Sequence, residues 1–267
     1  MSKSRDMSFL DHLEELRWHV IRALGAVMIT ATAAFLAKGF IFDTLIFGPT
    51  KADFFTYEFL CNTSKLLGFE SFCDTNFDFE VQSRTMAGQF SAHIWTSITF
   101  GFILAIPYVL YEFWKFISPG LYTKERKHSR GFLFFSSALF FVGVLFGYYV
   151  ICPLSINFLG TYSVANQVHN DFDLNSVIAV VRSSSLAAGL VFELPILVYF
   201  LTKIGFVTPQ ILKKYRKFAL VIVLIISAVI TPPDIASQVI VAVPILILYQ
   251  VSIFISRIVV RNQNKKE

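Results

Sequence analysis

The stretch Leu186-Ala-Ala-Gly-Leu-Val-Phe-Glu193-Leu-Pro195-Ile-Leu-Val-Tyr-Phe-Leu201 decides the class of this protein. With its flanks it is long and apolar enough to cross a membrane, since about 20 apolar residues of helix span the hydrocarbon of a bilayer. One acid, Glu193, interrupts it. A charged side chain near mid-bilayer costs about 2.5 to 3.5 kcal/mol on insertion scales, so Glu193 is a functional candidate that faces protein or water. The alternative is a protonated Glu193 that only packs against another helix. Pro195 predicts a kink beside the acid, because proline removes a backbone donor.

Composition places the whole chain in the membrane class. The 267 residues include 30 Phe and are 55% hydrophobic, with a mean hydropathy of +0.63. Such a composition excludes an ordinary soluble globular protein. The amino terminus is polar up to Arg17, and the apolar stretch behind it is too long for the core of a cleavable signal peptide. The first span is therefore expected to serve as its own signal.

Hydropathy predicts an all-α membrane protein formed as a single polytopic domain over residues 1–267. It has six transmembrane helices, two of them short. The fifth contains only about 13 apolar residues, or about 20 Å of helix against about 30 Å of hydrocarbon. The predicted spans are residues 20–37, 90–114, 132–151, 177–201, 218–230 and 239–255.

The distribution of basic residues predicts the orientation. Up to the body of the first span, counting Arg22 at its start, in the two loops after the second and fourth spans, and in the tail there are four, five, five and four Lys or Arg, which is 18 of the 23. Six crossings place these regions on one side, and basic loops remain cytoplasmic. Both termini are therefore expected in the cytoplasm. The net charge of +5 follows from orientation and attraction to anionic lipid, with no nucleic acid implied.

The first outer loop, residues 38–89, is long for a connection between adjacent spans, which predicts a cap with helical structure of its own. It contains Cys61 and Cys73, both on the oxidising side of the membrane by the charge argument. We therefore expect a disulfide between them, with coincidental spacing as the alternative. Cys152 has no evident partner.

The amino-terminal residues predict an amphipathic helix. Ser8 is a candidate cap, and the spacing of Leu13, Leu16 and Val20 predicts one apolar face. Such a helix would lie in the cytoplasmic interface before the first span begins.

Five blocks of sequence resemble the TatC family, the receptor subunits of the twin-arginine protein translocase. They occur in the family's order over nearly the whole chain. The blocks are Phe9-x-x-His12-Leu-x-Glu15-Leu-Arg17, Gly48-Pro49, Phe116-Ile-Ser-Pro119-Gly-Leu-Tyr-Thr-Lys-Glu125-Arg126, Phe192-Glu193-Leu-Pro195 and Thr231-Pro-Pro-Asp234-Ile-Ala-Ser237-Gln238.

The resemblance implies a cupped six-helix bundle in the cell inner membrane that exports folded proteins with the proton-motive force. It would bind twin-arginine signal peptides on its cytoplasmic face and recruit single-span partners of the TatA and TatB type, self-associating in a larger complex. Glu15 and Glu125 would grip the arginine pair, with Arg17 and His12 beside them and Glu193 in the concave face. A carboxylate suits this role, because it matches the guanidinium fork.

The turn before the last span contains the candidate contacts for a partner helix. Thr231 and Gln238 are polar groups close to the membrane, and they can hydrogen-bond to a polar side chain of another helix. Asp234 is expected to face outward from the stiff turn that two prolines impose. A purely structural turn is the alternative.

Two rival functions belong to other classes. A proton-coupled small-molecule transporter would use Glu193 as its relay, but it would also require internal repeats and further intramembrane charges. A membrane-embedded enzyme would require a nucleophile and base, or metal ligands, at a common depth. The sequence contains no such set, so no catalytic residue, metal or cofactor is predicted.

Overall fold

The structure, a computed structural model, describes residues 9–66, 79–117, 129–165 and 170–264. These residues are mostly helical, with two π-helical segments, Phe40–Ile46 and Gly147–Ile151. The other elements are α1 (Phe9–Leu36), α2 (Phe55–Leu66), β1 (Glu80–Gln82), α3 (Gly88–Ile117), α4 (Ser129–Phe146), α5 (Cys152–Thr161), β2 (Asp171–Asp173), α6 (Leu174–Phe192), α7 (Leu194–Lys203), α8 (Pro209–Lys214), α9 (Arg216–Ile230) and α10 (Ile235–Asn264).

Five helical stretches in the described residues are long and apolar enough to cross a membrane. They are Glu14–Leu36, Gly88–Phe116, Leu133–Thr161, Leu174–Lys203 and Ser237–Gln263. They correspond to five of the six predicted spans. The remaining one, α9, has 15 residues, which is about 22 Å of helix and shorter than the hydrocarbon, as its sequence predicts. The count of six crossings stays a prediction.

Three predicted boundaries are wrong. The last helix, α10, is not short but 30 residues long, because its polar carboxyl-terminal turns continue the helix and Pro244 does not end it. The third span continues through α5 to Thr161, since Pro153 occupies the first turn of α5, where no backbone donor is needed. The interfacial helix and the first span form one helix, α1, with no break between them.

A small parallel sheet departs from the predicted all-helical fold. Glu80, Val81 and Gln82 of β1 pair with Asp171, Phe172 and Asp173 of β2. Asp173 then caps α6, its Oδ1 accepting a hydrogen bond of 2.9 Å from the backbone N–H of Asn175.

The described residues belong to two compact units. The first comprises Met1–Lys38 and His93–Ala138, and the second comprises Gly39–Ala92 and Leu139–Glu267. In the first unit α1 and α3 run antiparallel. At one end the rings of Phe35 and His93 stack with centroids 3.9 Å apart. Further along, the Thr30 hydroxyl donates a 2.7 Å hydrogen bond to the Gly101 carbonyl.

In the second unit small residues bring the third and fourth predicted spans together. A β-carbon on Gly143 would lie 2.7 Å from the Ala188 carbonyl oxygen, and one on Gly147 would overlap the Ser184 carbonyl. Close backbone approach of this kind is how helices associate in lipid, where apolar burial supplies no driving force between them. Nearby, α6, α9 and α10 share an apolar core, which includes Ala188, Val223, Val241, Ala242 and Ile245.

Within the second unit, α2 holds residues 39–66 against the chain around Tyr149 and Pro153. The Thr56 hydroxyl donates to the Tyr149 carbonyl at 2.5 Å, and the buried Tyr57 hydroxyl lies 2.7 Å from the Pro49 carbonyl oxygen and 3.2 Å from that of Pro153. Burial raises the pKa of Tyr57 above its ordinary value, so this tyrosine remains a neutral donor.

Candidate functional site

A cluster of ionisable side chains joins α1 to α3 in the first unit. Glu15, His19 and Arg22 are four and three residues apart, so the helical repeat places them on one face of α1. Glu112 of α3 lies opposite. His19 and Glu112 are almost completely buried, Glu15 is one-third exposed and Arg22 about half exposed. We call these four residues the α1–α3 polar cluster.

The buried carboxylate of Glu112 is the centre of the cluster. Its Oε2 lies 2.6 Å from Nδ1 of His19 and accepts a 3.1 Å hydrogen bond from Nε of Arg22. Tyr108, one turn earlier on α3, lies next to Glu112. A buried carboxylate is tolerated only when it is paired and hydrogen-bonded, and Glu112 meets both conditions.

The short contact between His19 and Glu112 requires a proton between the two side chains. Two acceptors cannot approach to 2.6 Å without a hydrogen between them, so either Nδ1 donates to the carboxylate or a protonated Glu112 donates to Nδ1. The opposite nitrogen, Nε2, faces Glu15 with 3.9 Å to its Oε1. His19 therefore stands between one carboxylate from each helix.

Glu15 has an unused acceptor. Its Oε2 is buried and has no hydrogen-bond partner among the residues that the structure describes. Such an atom is costly unless it meets a donor, and a hydrogen bond to a charged group is among the stronger ones available. The arrangement suits an incoming cation with N–H donors.

Aromatic residues of α3 lie at and beside the cluster. The Phe116 ring meets His19 edge-on, with centroids 6.2 Å apart. The Lys115 ammonium lies over the Tyr111 ring, 4.4 Å from its centroid.

The predicted signal-peptide residues are only partly brought together. Glu15 belongs to the cluster. Arg17, two residues further along α1, is exposed and lies about 200° around the helix from Glu15, so it does not join the cluster. His12 is in α1, but its side chain falls outside the described residues, as does the whole of Glu125.

Sequence reasoning missed Glu112, His19 and Arg22 as site residues. The signal for Glu112 was present, because an acid inside the predicted second span meets the same criterion that selects Glu193. Only the antiparallel packing of α1 and α3 reveals its partners. His19 and Glu112 are far apart in sequence, and no local pattern links them.

Glu193 lies at the predicted kink. It ends α6 and precedes α7, its φ and ψ are −75° and −4°, and Pro195 occupies the first turn of α7. The carbonyl of Glu193 accepts from the N–H groups of both Ile196 and Leu197, each at 3.0 Å. The side chain of Glu193 is half-buried, and its sequence neighbours Val191 and Leu194 pack against the apolar core of the second unit.

The residues predicted to contact a partner helix are engaged within the chain. The Thr231 hydroxyl donates to the Ser227 carbonyl at 2.8 Å, and the Gln238 amide donates to the Leu224 carbonyl at 3.1 Å. Asp234 caps α10 by accepting from the backbone N–H and the hydroxyl of Ser237, both at 2.8 Å. These bonds stabilise the turn, and contact with a partner stays a prediction.

The three cysteines differ in state. Cys61 is disulfide-bonded, whereas Cys152 is a buried free thiol. Cys73, the predicted partner of Cys61, lies outside the described residues.

Comparison with known proteins identifies the family. A family profile described as Sec-independent protein translocase protein (TatC) matches residues 11–244. The TatC protein of Blattabacterium sp. subsp. Periplaneta americana is 43% identical, over 96% of this chain and 97% of its own. TatCy of Bacillus subtilis is 33% identical, over 98% and 94%. A crystal structure of twin arginine translocase receptor TatC in DDM is 31% identical, with a TM-score of 0.72 over 92% of this chain and 99% of its own. The chain is therefore a multi-pass membrane protein that belongs to the TatC family of Sec-independent protein translocase components.

Proposed function

We propose that this protein is the receptor subunit of a twin-arginine translocase in the cell inner membrane. It binds the paired arginines of signal peptides on folded preproteins, which then cross with the proton-motive force. TatA- and TatB-type single-span proteins are its partners in a larger complex. Family membership favours this function over a small-molecule transporter or an enzyme.

The observation that carries the proposal is the state of Glu15. One of its carboxylate oxygens is buried without a hydrogen-bond partner among the described residues, while the side chain as a whole is one-third exposed. A ligand guanidinium would satisfy that oxygen, because it is always charged and offers several N–H donors in one plane. By its resemblance to the family block, Glu125 supplies the second acid of the receptor.

The charge distribution supports a cytoplasmic position for this site. Eighteen of the 23 basic residues fall on the predicted cytoplasmic side, which includes the amino-terminal half of α1. Signal peptides are presented from that side.

Crosslinking tests the proposal. A photoreactive twin-arginine signal peptide should label the purified protein strongly, and a twin-lysine peptide should label it weakly. The substitution Glu15→Ala should reduce labelling by the arginine peptide, and Glu14→Ala should not, because Glu14 is exposed on the neighbouring face. Equal labelling by the two peptides would contradict the receptor function.

A further inference from the structure

We propose that Glu112 is a positioning residue for arginine recognition, which acts through His19 to hold the Glu15 carboxylate in one orientation. The proposal rests on the function proposed above, since it assumes that Glu15 meets the signal peptide. It assigns a role to two buried residues that the receptor function alone does not require.

The first step is the rigidity of the link. An imidazole ring has its two nitrogens on opposite sides, so whatever fixes Nδ1 also directs Nε2. Glu112 fixes Nδ1 of His19 at 2.6 Å, and the edge of Phe116 restricts the ring from the side. Nε2 is thereby held facing Oε1 of Glu15 at 3.9 Å.

The second step is charge. A buried Glu112 beside a second acid would be unfavourable without a permanent cation, and Arg22 supplies one through its 3.1 Å hydrogen bond to Oε2. A second Arg22 nitrogen, Nη2, lies 3.0 Å from Nδ1 of His19, and the remaining donors of this half-exposed side chain can stay hydrated. Nε2 of His19 carries a hydrogen toward Glu15 in two states: an imidazolium beside an ionised Glu112, or the Nε2–H tautomer that accepts hydrogen bonds at Nδ1.

The third step is the consequence for the ligand. With Oε1 of Glu15 facing His19, Oε2 is the oxygen left to accept from a peptide that displaces the groups covering it. A guanidinium presents donors in a rigid fork, whereas an ammonium is a compact point charge that bonds in many directions. An oriented carboxylate distinguishes the two, and a freely rotating one does so less. Glu112 and His19 should therefore set the preference for arginine over lysine.

Four single substitutions in the full-length purified protein test this chain of contacts. Glu112→Gln removes the charge that fixes His19. His19→Asn keeps a donor near the position of Nδ1 but removes Nε2, so it cuts the link to Glu15 together with the ring contact to Phe116. Glu15→Gln removes the acceptor charge itself. Glu14→Gln is the matched control, since it removes one negative charge from the same turn of α1 outside the cluster.

The measurement is the affinity of fluorescent twin-arginine and twin-lysine signal peptides. Glu112→Gln and His19→Asn should each weaken binding of the arginine peptide by about tenfold, as expected for a lost interaction with a charged group, and change binding of the lysine peptide by less than about threefold. Glu14→Gln should bind both peptides as the parent does. In a Glu15→Gln background, Glu112→Gln should have no further effect, because it acts through Glu15.

The outcomes separate this proposal from the receptor function. Should Glu15→Gln weaken binding while Glu112→Gln and His19→Asn bind as the parent, positioning is wrong and the receptor function stands. Should Glu15→Gln bind the arginine peptide as the parent does, the receptor site itself is wrong. If Glu112→Gln does not fold, His19→Asn carries the test, since it leaves the bond between Arg22 and Glu112 in place.

A spectroscopic measurement adds a readout that a merely structural role would not move. In protein with ¹⁵N-labelled histidine, the His19 ring resonances should shift when the arginine peptide binds to the parent or to Glu14→Gln. They should not shift in Glu15→Gln. If the His19 ring resonances of the parent do not shift when the peptide binds, the proposed link is wrong.

Discussion

Gly101 of α3 meets Ala31 of α1 so closely that a β-carbon on the glycine would lie 2.5 Å from both the backbone nitrogen and the Cα of Ala31. From this contact the helical rise places His19 about 18 Å along α1 and Glu112 about 17 Å along α3 in the same direction. The glycine contact therefore fixes the register in which the two buried residues meet.

Gly101→Ala should separate the helices and destabilise the first unit by about 1 to 3 kcal/mol, as overpacking does in a close-packed interface. Because the clash is with backbone atoms of Ala31, adding Ala31→Gly to the Gly101→Ala variant should not restore stability. Thermal unfolding in detergent measures both effects. Gly25→Ala is the control, since a β-carbon there meets nothing within 4 Å and should be neutral or slightly stabilising. Equal stability of Gly101→Ala and Gly25→Ala would refute the account of the contact.

Orientation can be measured by cysteine accessibility in a cysteine-free variant. Single cysteines at Lys124 and Lys213 should react only with reagent on the cytoplasmic side, and those at Gln167 and Ile235 only from outside, because basic loops stay inside. Labelling of either basic position from outside would overturn the six-span topology.

The predicted disulfide of Cys61 with Cys73 should be stable in protein taken from the membrane without reductant. Closing a loop of about a dozen residues contributes roughly 2 to 3 kcal/mol to local stability if the geometry is unstrained. Alkylation of native protein should leave Cys61 and Cys73 unmodified, and Cys152 should react only after unfolding, because it is buried. Free thiols at both loop positions would remove the pairing.

Glu193→Gln should slow transport while leaving signal-peptide binding mostly intact. The substitution retains shape and hydrogen bonding but removes the charge at the break between α6 and α7. Export of a folded twin-arginine substrate into vesicles, with peptide affinity measured in parallel, tests this. Unchanged export in both Glu193→Gln and Glu193→Ala would assign the residue to packing alone.

We expect the stability of the first turn of α6 to fall in acid, because Asp173 caps this helix. The backbone N–H of Asn175 holds the pKa of this carboxyl below its ordinary value. A lowered folded-state pKa means that the stabilisation is fully present above the unfolded value of about 4 and is lost as the pH falls through the folded value. Between about pH 4.5 and pH 2, the rate of pepsin cleavage near Phe172 in the parent should rise toward that of Asp173→Asn, which cannot titrate. A ratio of the two rates that is independent of pH would contradict this.

Much of the architecture was predictable because it depends on local properties of the chain. Hydropathy alone located the five helices that are long and apolar enough to cross a membrane and the shorter α9, since each depends on a run of apolar residues. Proline chemistry predicted the break at Glu193. The same reasoning placed the end of the third span too early and made the last helix too short, because hydropathy detects the apolar part of a helix and not the polar turns that continue it.

The sequence by itself determined that this is a polytopic membrane protein of the TatC family, and it selected Glu15 and Glu193. It did so because both membrane insertion and the family motifs depend on short contiguous stretches of sequence. Only the tertiary structure decided that Glu112 is joined to His19 and Arg22. That contact depends on two helices distant in sequence being brought side by side in one register, which the approach of Gly101 to Ala31 sets.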